Sequence, residues 1–343
     1  MTTSTSAYTD ITLQIIKALE EGRQPWNPEW TESAAPLSLP RRWTGESYQG
    51  INVLMLWLAA AERGFRSSRW FTYRQARKVG GQVRRGERST RVVYFETRTR
   101  LNDEDEEIHH RILKRYAVFN ADQIDNLPPE FQSDDSSGVS TGNRGDIDRM
   151  IVQTGANITE RQGESDAYYL VSADRVVVPH RDSFDPVEQF YGVLMHELVH
   201  WTGNRNRLGR LSRDDTDKDY AFEELVAEIG ACFVCSSLGV APDLRNSAAY
   251  IKNWAIRLKA DHRMIFRAAG AAQKAADYLL AKMIPASRAD RRGRDRPTVA
   301  TLEPGYLDRV SAAPRPGQGK PASIPPWLQP RPSHSQAAYL NRH

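Results

Sequence analysis

The residues that could bind a metal ion and use it chemically lie within one predicted helix. His196, Glu197 and His200 belong to the pattern HELVH, in which three residues separate the two histidines. Residues four apart on an α-helix lie one turn above each other, so both imidazoles can face the same ion. Glu197 would then lie beside the open coordination position, where a carboxylate can act as a base towards a water molecule. The spacing therefore predicts a hydrolytic metal site.

A third ligand is available on the next predicted helix, over residues 220–238. Glu224 and Glu228 are four residues apart on a mostly apolar segment that also carries Glu223. Carboxylates on a buried face are costly unless they are paired or bind a metal. Two His and one Glu, with water in the fourth position, form a ligand set of catalytic zinc sites, so either Glu224 or Glu228 could complete it. The simpler alternative is a chance match on an amphipathic helix with acidic residues on a nearby surface.

The segment around HELVH carries helix signals at both ends. Asp185 is a predicted N-cap, followed by Pro186 at the first helical position and Glu188 in a capping-box pattern. Gly203 is expected to end the helix in the left-handed conformation. Apolar residues recur every three or four positions and would hold the helix in a core: Phe190, Leu194, Leu198 and Trp201.

Other elements are predicted around this helix. Residues 167–171 and 175–179 should form an antiparallel pair of strands that borders the cleft, where a substrate backbone could bind by strand addition. Two further helices are predicted after residue 238, over residues 248–260 and 265–280. These elements define a second domain, residues 146–284.

The composition is that of a soluble globular protein. The chain has 343 residues, enough for two domains of ordinary size, and is 40% hydrophobic and 26% charged. Its first ten residues lack the basic-then-apolar order of a signal peptide, and no apolar run is long enough to span a bilayer. We therefore expect a cytoplasmic protein that does not associate with membranes.

Cysteine usage excludes a disulfide scaffold, since Cys232 and Cys235 are the only two cysteines. Their C-x-x-C spacing could indicate redox chemistry, but both lie among apolar residues of a predicted helix and no second pair exists. We expect them to be small buried residues.

Residues 8–131 are predicted to form a first domain. A helix is expected to cover Ile11 to Leu19 and end near Gly22, and another is expected over residues 53–63. A basic helix follows near residue 74. Strands over residues 91–96 and 116–120 are expected to pair across a charged excursion.

The basic charge of the chain is concentrated in this first domain. Between Arg41 and Arg100 there are 14 Lys or Arg residues against 4 Asp or Glu residues, a net charge of +10, whereas the whole chain carries only +4. Aromatic residues alternate with these cations, and a basic groove with aromatic platforms is typical of proteins that bind single strands without sequence preference. We predict contacts to single-stranded DNA from Trp43, Tyr48, Asn52, Trp70, Lys78, Arg84, Arg85 and Arg88.

The alternative for the aromatic residues is a structural role in the core. We favour that role for Trp57 and Phe95, which lie in apolar surroundings. For Trp43, Tyr48 and Trp70, which have polar and basic neighbours, stacking on bases and burial in the core both remain open.

Two segments lack the patterns of folded domains. Residues 132–145 are rich in Ser, Gly and Asp and are predicted to form a linker. From residue 285 to the end, 10 of the 19 prolines occur together with Gly, Arg and Ser, which predicts a disordered tail.

Several segments resemble the ArdC-type antirestriction proteins, a plasmid-associated family that is also related to the N-terminal part of TraC-type primases. In the first domain they are YTDITLQIIKALEEGRQPWNPEW, YQGINVLMLW and VVYFETRT. In the second they are HELVHWTGNRNRLGR, YAFEELVAEIGACF and YIKNWAIRLKADHRMIFRAAGAAQKAADYLL. The resemblance implies an α+β protein in which a single-stranded-DNA-binding α+β domain precedes a mostly helical, zincin-like metallopeptidase domain with a small antiparallel sheet. It also implies protection of incoming plasmid DNA from host restriction during conjugation.

The resemblance gives the acidic residues separate roles. It implies that His196, His200 and Glu224 bind one divalent ion, most simply Zn²⁺, although Mn²⁺ accepts the same ligands. Glu228 resembles the acid that orients the first histidine in related gluzincins, where the usual residue is Asp, so an exchange of roles between Glu224 and Glu228 stays open. Glu197 is the expected catalytic base. Three residues are candidates for stabilising an oxyanion: Tyr168, His180 and Tyr220.

Two hypotheses for function follow. In the first, the basic domain delivers a metallopeptidase to DNA, where it acts on a protein substrate such as a restriction enzyme. In the second, the protein shelters single-stranded DNA and the metal only stabilises the fold. Glu197 favours the first hypothesis because a structural site needs no base, and a site with three protein ligands favours it too. No feature indicates a particular oligomeric state.

Overall fold

A computed structural model describes residues 3–26, 38–101, 107–132, 144–211, 217–242 and 248–283. The predicted tail and most of the predicted linker lie outside these residues. Within them the helices are α1 (Thr3–Glu20), α2 (Ile51–Arg63), α3 (Tyr73–Lys78), α4 (Pro129–Gln132), α5 (Arg144–Thr154), α6 (Glu188–Thr202), α7 (Asp217–Leu238), α8 (Ala248–Ala260) and α9 (Met264–Leu280). None of the described helices is both long and apolar enough to cross a membrane.

The strands form three small sheets. In chain order they are β1 (Arg41–Arg42), β2 (Arg69–Phe71), β3 (Gln82–Val83), β4 (Thr90–Leu101), β5 (Glu107–Asn120), β6 (Ile124–Asp125), β7 (Asn157–Arg161), β8 (Tyr168–Leu170) and β9 (Arg175–Pro179). The first sheet has the order β1-β2-β5-β4, with only β1 and β2 parallel. A second sheet pairs β3 with β6. Helices and separate small sheets make this an α+β protein, as predicted.

The hairpin of β4 and β5 is longer than its sequence predicts. The predicted strands, residues 91–96 and 116–120, are only part of a ladder in which Thr90 pairs with Val118 and Leu101 with Glu107. Residues 107–114 of the expected excursion continue the pairing, because the ladder is formed by backbone groups and does not require apolar side chains.

A small hydrophobic cluster lies beside this sheet, between α3, β3 and β6. Its buried residues include Phe71, Ala76 and Ile124. A Cβ atom at Gly81 would lie 2.8 Å from side-chain atoms of both Ile124 and Leu127, so only glycine allows the chain to approach this cluster. A glycine at position 81 is therefore a packing requirement.

The two predicted domains share one hydrophobic core. The indole of Trp57 on α2 packs against the ring of Phe233 on α7, with centroids 5.8 Å apart, and Trp26 packs against Trp254 at 5.7 Å. The backbone N–H of Gly50 donates to Oε1 of Gln273 at 3.0 Å. The described residues up to Met283 accordingly form one compact unit.

The second predicted domain is mostly helical, with α7 packed against both α6 and α9. Its sheet has the order β7-β9-β8, in which β8 and β9 are antiparallel as predicted, whereas β7 runs parallel to β9. The sheet is therefore mixed, and the antiparallel sheet that the resemblance implies describes only its β8–β9 pair.

The predicted ends of α6 are wrong in detail. The helix begins at Glu188 with Val187 as its N-cap, and no side chain caps it, so neither Asp185 nor Pro186 has the predicted role. Glu188 forms an ion pair with Arg144 of α5. Gly203 does end the helix, but with a right-handed φ of −72°.

The requirement for glycine at position 203 is spatial. A Cβ atom there would lie 2.9 Å from both the carbonyl oxygen of His200 and Cγ of Leu211. The loop after α6 therefore folds back closely against the last turn of that helix.

Candidate metal centre

Two packed helices bring the predicted ligands together. The apolar stripe of α6 is buried, as predicted, and the same helix carries His196, Glu197 and His200, all buried. Helix α7 carries Glu224 and Glu228, which are buried as well. Cys232 and Cys235 lie in the core further along α7, as predicted.

Three side chains converge on one point. Nε2 of His196 lies 3.2 Å from Nε2 of His200. Oε1 of Glu224 lies 3.3 Å from Nε2 of His200, and its Oε2 lies 3.8 Å from Nε2 of His196. One donor atom from each of the three residues lies within 4.8 Å of the others. This is the only group of potential metal ligands found among the described residues.

A carboxylate lies behind each imidazole. Oε1 of Glu228 is 3.6 Å from Nδ1 of His196. Oε1 of Glu223 is 3.3 Å from Nδ1 of His200. The position of Glu223 could not be predicted from the sequence, because three acidic residues on one helix do not reveal which of them faces which ring.

The carboxylates around His200 favour a positive charge at this position. Burial alone would lower the pKa of His200, but hydrogen bonds with Glu223 and Glu224 outweigh burial and raise that pKa to about 10. Burial would raise the pKa of Glu223, yet hydrogen bonds with His200 and Arg210 hold it below its usual value of 4.5.

The donor set fits a divalent cation. Imidazole nitrogen and carboxylate oxygen are ligands that both Zn²⁺ and Mn²⁺ accept. A metal-ligating histidine normally donates its other ring N–H to an acceptor, and the carboxylates of Glu228 and Glu223 lie at those positions.

The loop after α6 attaches that helix to the β8–β9 turn. Arg207 donates from Nε to the carbonyl oxygen of Trp201 at 2.6 Å and from Nη1 to Oδ2 of Asp174 at 3.0 Å. Tyr169 of β8 donates from its hydroxyl to Oδ1 of Asp174 at 2.7 Å. The sheet is thereby fixed to the end of the helix that carries His200.

The three candidate oxyanion donors lie in different surroundings. The hydroxyl groups of Tyr220 and Tyr250 are 3.0 Å apart. Nδ1 of His180 lies 3.3 Å from Oδ2 of Asp182. Tyr168 is half-buried on β8. These contacts do not select one of the three.

Three of the predicted DNA contacts have structural roles instead. Trp70 is only 1% exposed and packs edge-on against Phe65, so stacking of its ring on a base is a wrong prediction. Tyr48 is also buried. Asn52 is engaged by the backbone of Val93, donating to its carbonyl oxygen and accepting from its N–H, each at 2.8 Å. These residues join elements of the first domain.

The other predicted contacts lie at or near the surface. Trp43 is half-buried beneath Lys78, whose Nζ lies 5.3 Å from the centre of the indole ring. Arg84 is exposed but paired, with Nη2 at 2.9 Å from Oε1 of Glu87. Arg85 and Arg88 are exposed, and their side chains form no ion pair with the residues that the structure describes.

A different set of aromatic residues is exposed on the first domain. Tyr94 is 55% exposed and Tyr116 is 45% exposed, and Tyr73 and Phe95 are exposed as well. Trp57 is buried as predicted, whereas the predicted burial of Phe95 is wrong. Tyr94 pairs with Lys114 and Tyr116 with Val92, so the two tyrosines are diagonal neighbours on one face of the β4–β5 hairpin.

Comparison with known families finds two separate matches along the chain. Residues 5–119 match the family described as the N-terminal domain of anti-restriction factor ArdC. Residues 145–271 match the family described as zincin-like metallopeptidase. The chain therefore combines two family domains, although they share a core.

Individual relatives support the same assignment. The chain is 34% identical over 307 residues to the uncharacterized protein y4eC of Sinorhizobium fredii, a match that covers 85% of this chain and 97% of that protein. It is 34% identical over 287 residues to the DNA primase TraC of Escherichia coli, covering 78% of this chain but only 19% of the primase.

Solved structures of the antirestriction protein ArdC from plasmid R388 are similar as well. The metal-free structure is 45% identical with a TM-score of 0.70, and the match covers 80% of this chain and 97% of that one. The Mn(II)-bound structure is 44% identical with a TM-score of 0.68 and the same coverage. By sequence, by domain content and by structure, the chain belongs to the ArdC family of antirestriction proteins.

Proposed function

We propose that this protein binds single-stranded DNA without sequence specificity and carries a divalent-metal site competent for peptide hydrolysis, and that it protects incoming plasmid DNA from restriction. The metal is Zn²⁺ or Mn²⁺, bound by His196, His200 and Glu224. The proposed protein substrate is a DNA-associated protein such as a restriction enzyme. DNA binding belongs to the region of Arg41–Arg100, where the net charge of +10 is concentrated.

The observation that carries the hydrolytic part is the position of Glu197. This glutamate is buried and immediately follows His196 on α6. A structural metal site needs no such base, and structural sites usually have four protein ligands. The described residues offer three donors at this point, with a further carboxylate next to them in the chain.

The residues around the metal site have separate roles in the proposed hydrolysis. A bound divalent ion would supply Lewis acidity for the attacking water and the peptide carbonyl. Glu197 accepts a proton from that water on its carboxylate and returns it to the leaving amine. Glu223 and Glu228 face Nδ1 of His200 and Nδ1 of His196 at 3.3 and 3.6 Å, where their carboxylates can orient the two rings.

Replacing Glu197 with Gln tests this proposal. The variant should keep the metal content of the wild-type protein, because Glu197 is not a ligand, while losing hydrolysis of protein substrates at least about 100-fold. Glu188→Gln, at the first residue of the same helix, is the matched control and should keep both properties. Equal hydrolysis by Glu197→Gln and the wild-type protein would exclude Glu197 as the base.

Plasmid protection separates the two functional hypotheses. Conjugation into a restricting host is measured with the wild-type protein and with Glu197→Gln. Loss of protection in the variant supports proteolysis as the protective act. Full protection would instead favour sheltering of the DNA strand, with the metal site acting in another role.

The proposed DNA surface uses residues that are exposed in the fold. Arg85 and Arg88 precede β4, and Tyr94 and Tyr116 present their rings on the adjoining hairpin. Arginine pairs with phosphate groups, and exposed rings stack on unpaired bases, which a duplex hides. This surface replaces the buried Trp70 and Tyr48 of the sequence-based prediction.

A further inference from the structure

Arg210, in the loop after α6, makes contacts that the proposed chemistry does not use. Its side chain is 12% exposed. Nε and Nη2 donate to the two carboxylate oxygens of Glu223 at 3.0 and 2.8 Å. Nη2 also donates to the carbonyl oxygen of Val199 at 2.8 Å, and Nη1 donates to Oγ1 of Thr202 at 3.0 Å. One guanidinium therefore fixes a carboxylate of α7 relative to the last turn of α6, which carries His200.

The carboxylate that Arg210 holds also contacts a candidate ligand. Oε1 of Glu223 lies 2.8 Å from Nη2 of Arg210 and 3.3 Å from Nδ1 of His200. A histidine that binds a metal through Nε2 carries its proton on Nδ1, and an acceptor at Nδ1 fixes the tautomer and the orientation of the ring. A bidentate arginine fixes the plane of such a carboxylate, which a single hydrogen bond does not.

The hydrogen bonds from Arg210 also keep the Glu223 carboxylate apart from the carboxylate of Glu224. Glu223 directly precedes the candidate ligand Glu224 in the chain. With both of its oxygens engaged by Arg210, the Glu223 carboxylate stays on the Nδ1 side of His200, away from Nε2, which Glu224 faces.

We propose that Arg210 is a positioning residue for the metal site. It acts through Glu223, which orients His200 so that Nε2 of that ring faces the ion. This inference rests on the proposed metal site of His196, His200 and Glu224.

Arg207 of the same loop provides a matched control. Its side chain is 9% exposed, and it also bridges the end of α6 to a carboxylate, in this case that of Asp174 on the β8–β9 turn. Among its contacts with the described residues, none reaches a candidate ligand. Loss of Arg207 should therefore affect stability alone.

The experiment titrates the full-length chain with Mn²⁺ alone by calorimetry and measures thermal unfolding in EDTA in parallel. Arg210→Gln should weaken Mn²⁺ affinity by about 10- to 100-fold, as does loss of other groups that orient metal ligands. Arg207→Gln should lower the unfolding temperature while leaving affinity within about threefold of the wild-type value. The double variant Arg210→Gln, Glu223→Ala should bind no more weakly than Glu223→Ala, because Arg210 acts through Glu223.

A wild-type Mn²⁺ affinity in Arg210→Gln overturns the proposal. A loss of Mn²⁺ affinity in Arg207→Gln equal to that in Arg210→Gln also overturns it. So do additive losses of Mn²⁺ affinity in the double variant. If Arg210→Gln does not fold, Arg210→Lys is titrated instead, since lysine keeps the charge without the two parallel hydrogen bonds. Weaker binding by Arg210→Lys at a near-wild-type unfolding temperature supports the proposal, and wild-type affinity overturns it.

His200→Ala distinguishes this inference from the proposed function. Full Mn²⁺ binding by His200→Ala would contradict the proposed metal site itself. Loss of binding in His200→Ala, combined with unchanged affinity in Arg210→Gln, removes only the role of Arg210.

Discussion

Oε1 of Glu224 lies 3.3 Å from Nε2 of His200, on the side of the ring where Nε2 of His196 also lies. Oε1 of Glu228 instead lies near Nδ1 of His196. We therefore expect Glu224→Ala to lose nearly all bound metal, because a ligand is removed. Glu228→Ala should bind about 10- to 100-fold more weakly but still load at excess metal. Metal content after dialysis, measured by mass spectrometry, checks this order.

The opposite order of metal loss would exchange the roles of the two glutamates. Glu188→Gln serves as the control for the removal of an acidic group from this part of the protein. Its side chain is 44% exposed and pairs with Arg144, so its substitution should leave metal content unchanged.

The exposed tyrosines of the β4–β5 hairpin should contribute to binding of single strands. Tyr94→Ala combined with Tyr116→Ala is expected to weaken binding of an oligonucleotide by about 1–3 kcal/mol per stacked base while leaving the fold intact. Fluorescence anisotropy with a labelled single strand, and with duplex as competitor, measures the effect. Unchanged affinity in this double variant would remove the hairpin from the binding surface.

Trp70 should behave in the opposite way. Its ring is buried against Phe65, so Trp70→Ala is expected to destabilise the protein by about 3–5 kcal/mol. Unfolding in urea measures this loss. Weaker DNA binding by Trp70→Ala with unchanged stability would restore Trp70 as a stacking residue.

Salt dependence should reveal the phosphate contacts. Arg85→Ala combined with Arg88→Ala is expected to lower the slope of log affinity against log salt by about 1.4, since each neutralised phosphate of a single strand contributes about 0.7. A control of equal charge, Arg175→Ala with Lys274→Ala, removes exposed cations outside the basic segment. Equal slopes for the two double variants would contradict the assignment.

Part of the loss of folding stability at acidic pH should be due to protonation of Glu160. Burial raises the pKa of this carboxyl, but hydrogen bonds from Arg181 outweigh burial and hold the pKa below its usual 4.5. An acid with a lowered pKa in the folded state stabilises the fold above its unfolded pKa, and this contribution is lost as the pH falls through the folded value. Glu160→Gln should therefore be less stable at pH 7, by about 1 kcal/mol, and approach the wild-type protein below pH 4.5.

Urea unfolding at pH 7 and at acidic pH measures that convergence. Glu164→Gln is the control, because its nearest arginine nitrogen, Nη1 of Arg161, lies 3.7 Å away in a looser pair. A constant stability difference between Glu160→Gln and the wild-type protein at all pH values would contradict the prediction.

Helical periodicity was sufficient to predict most of the candidate metal centre. The spacing of His196 and His200 and the apolar stripe of α6 are local properties, so they survive folding unchanged. The roles proposed for Glu223 and Arg210 were not predictable in this way. They depend on how α7 packs against α6 and on the path of the following loop, which no short sequence pattern contains.

Burial of aromatic residues was harder to predict. Trp70 follows Arg69, yet β2 lies between β1 and β5 and its tryptophan is enclosed by packing from distant parts of the chain. Tyr94 lies among apolar residues in the sequence of β4, but its ring faces solvent on the β4–β5 hairpin. The neighbours of an aromatic residue in the sequence do not determine its exposure. Exposure depends on whether another part of the fold packs over the face of the sheet on which the residue lies.

The contacts of Trp57 with Phe233 and of Gly50 with Gln273 also have a consequence for cooperativity. With a single core, the N-terminal and C-terminal halves should unfold together, so a ligand that binds the native state at the candidate metal site raises the free energy of unfolding of both. Metal binding should therefore slow hydrogen exchange of backbone amides in α2, although the candidate metal ligands lie on α6 and α7. Separate expression of either half would expose the apolar face that the other half now covers, giving aggregation-prone fragments instead of two independent modules.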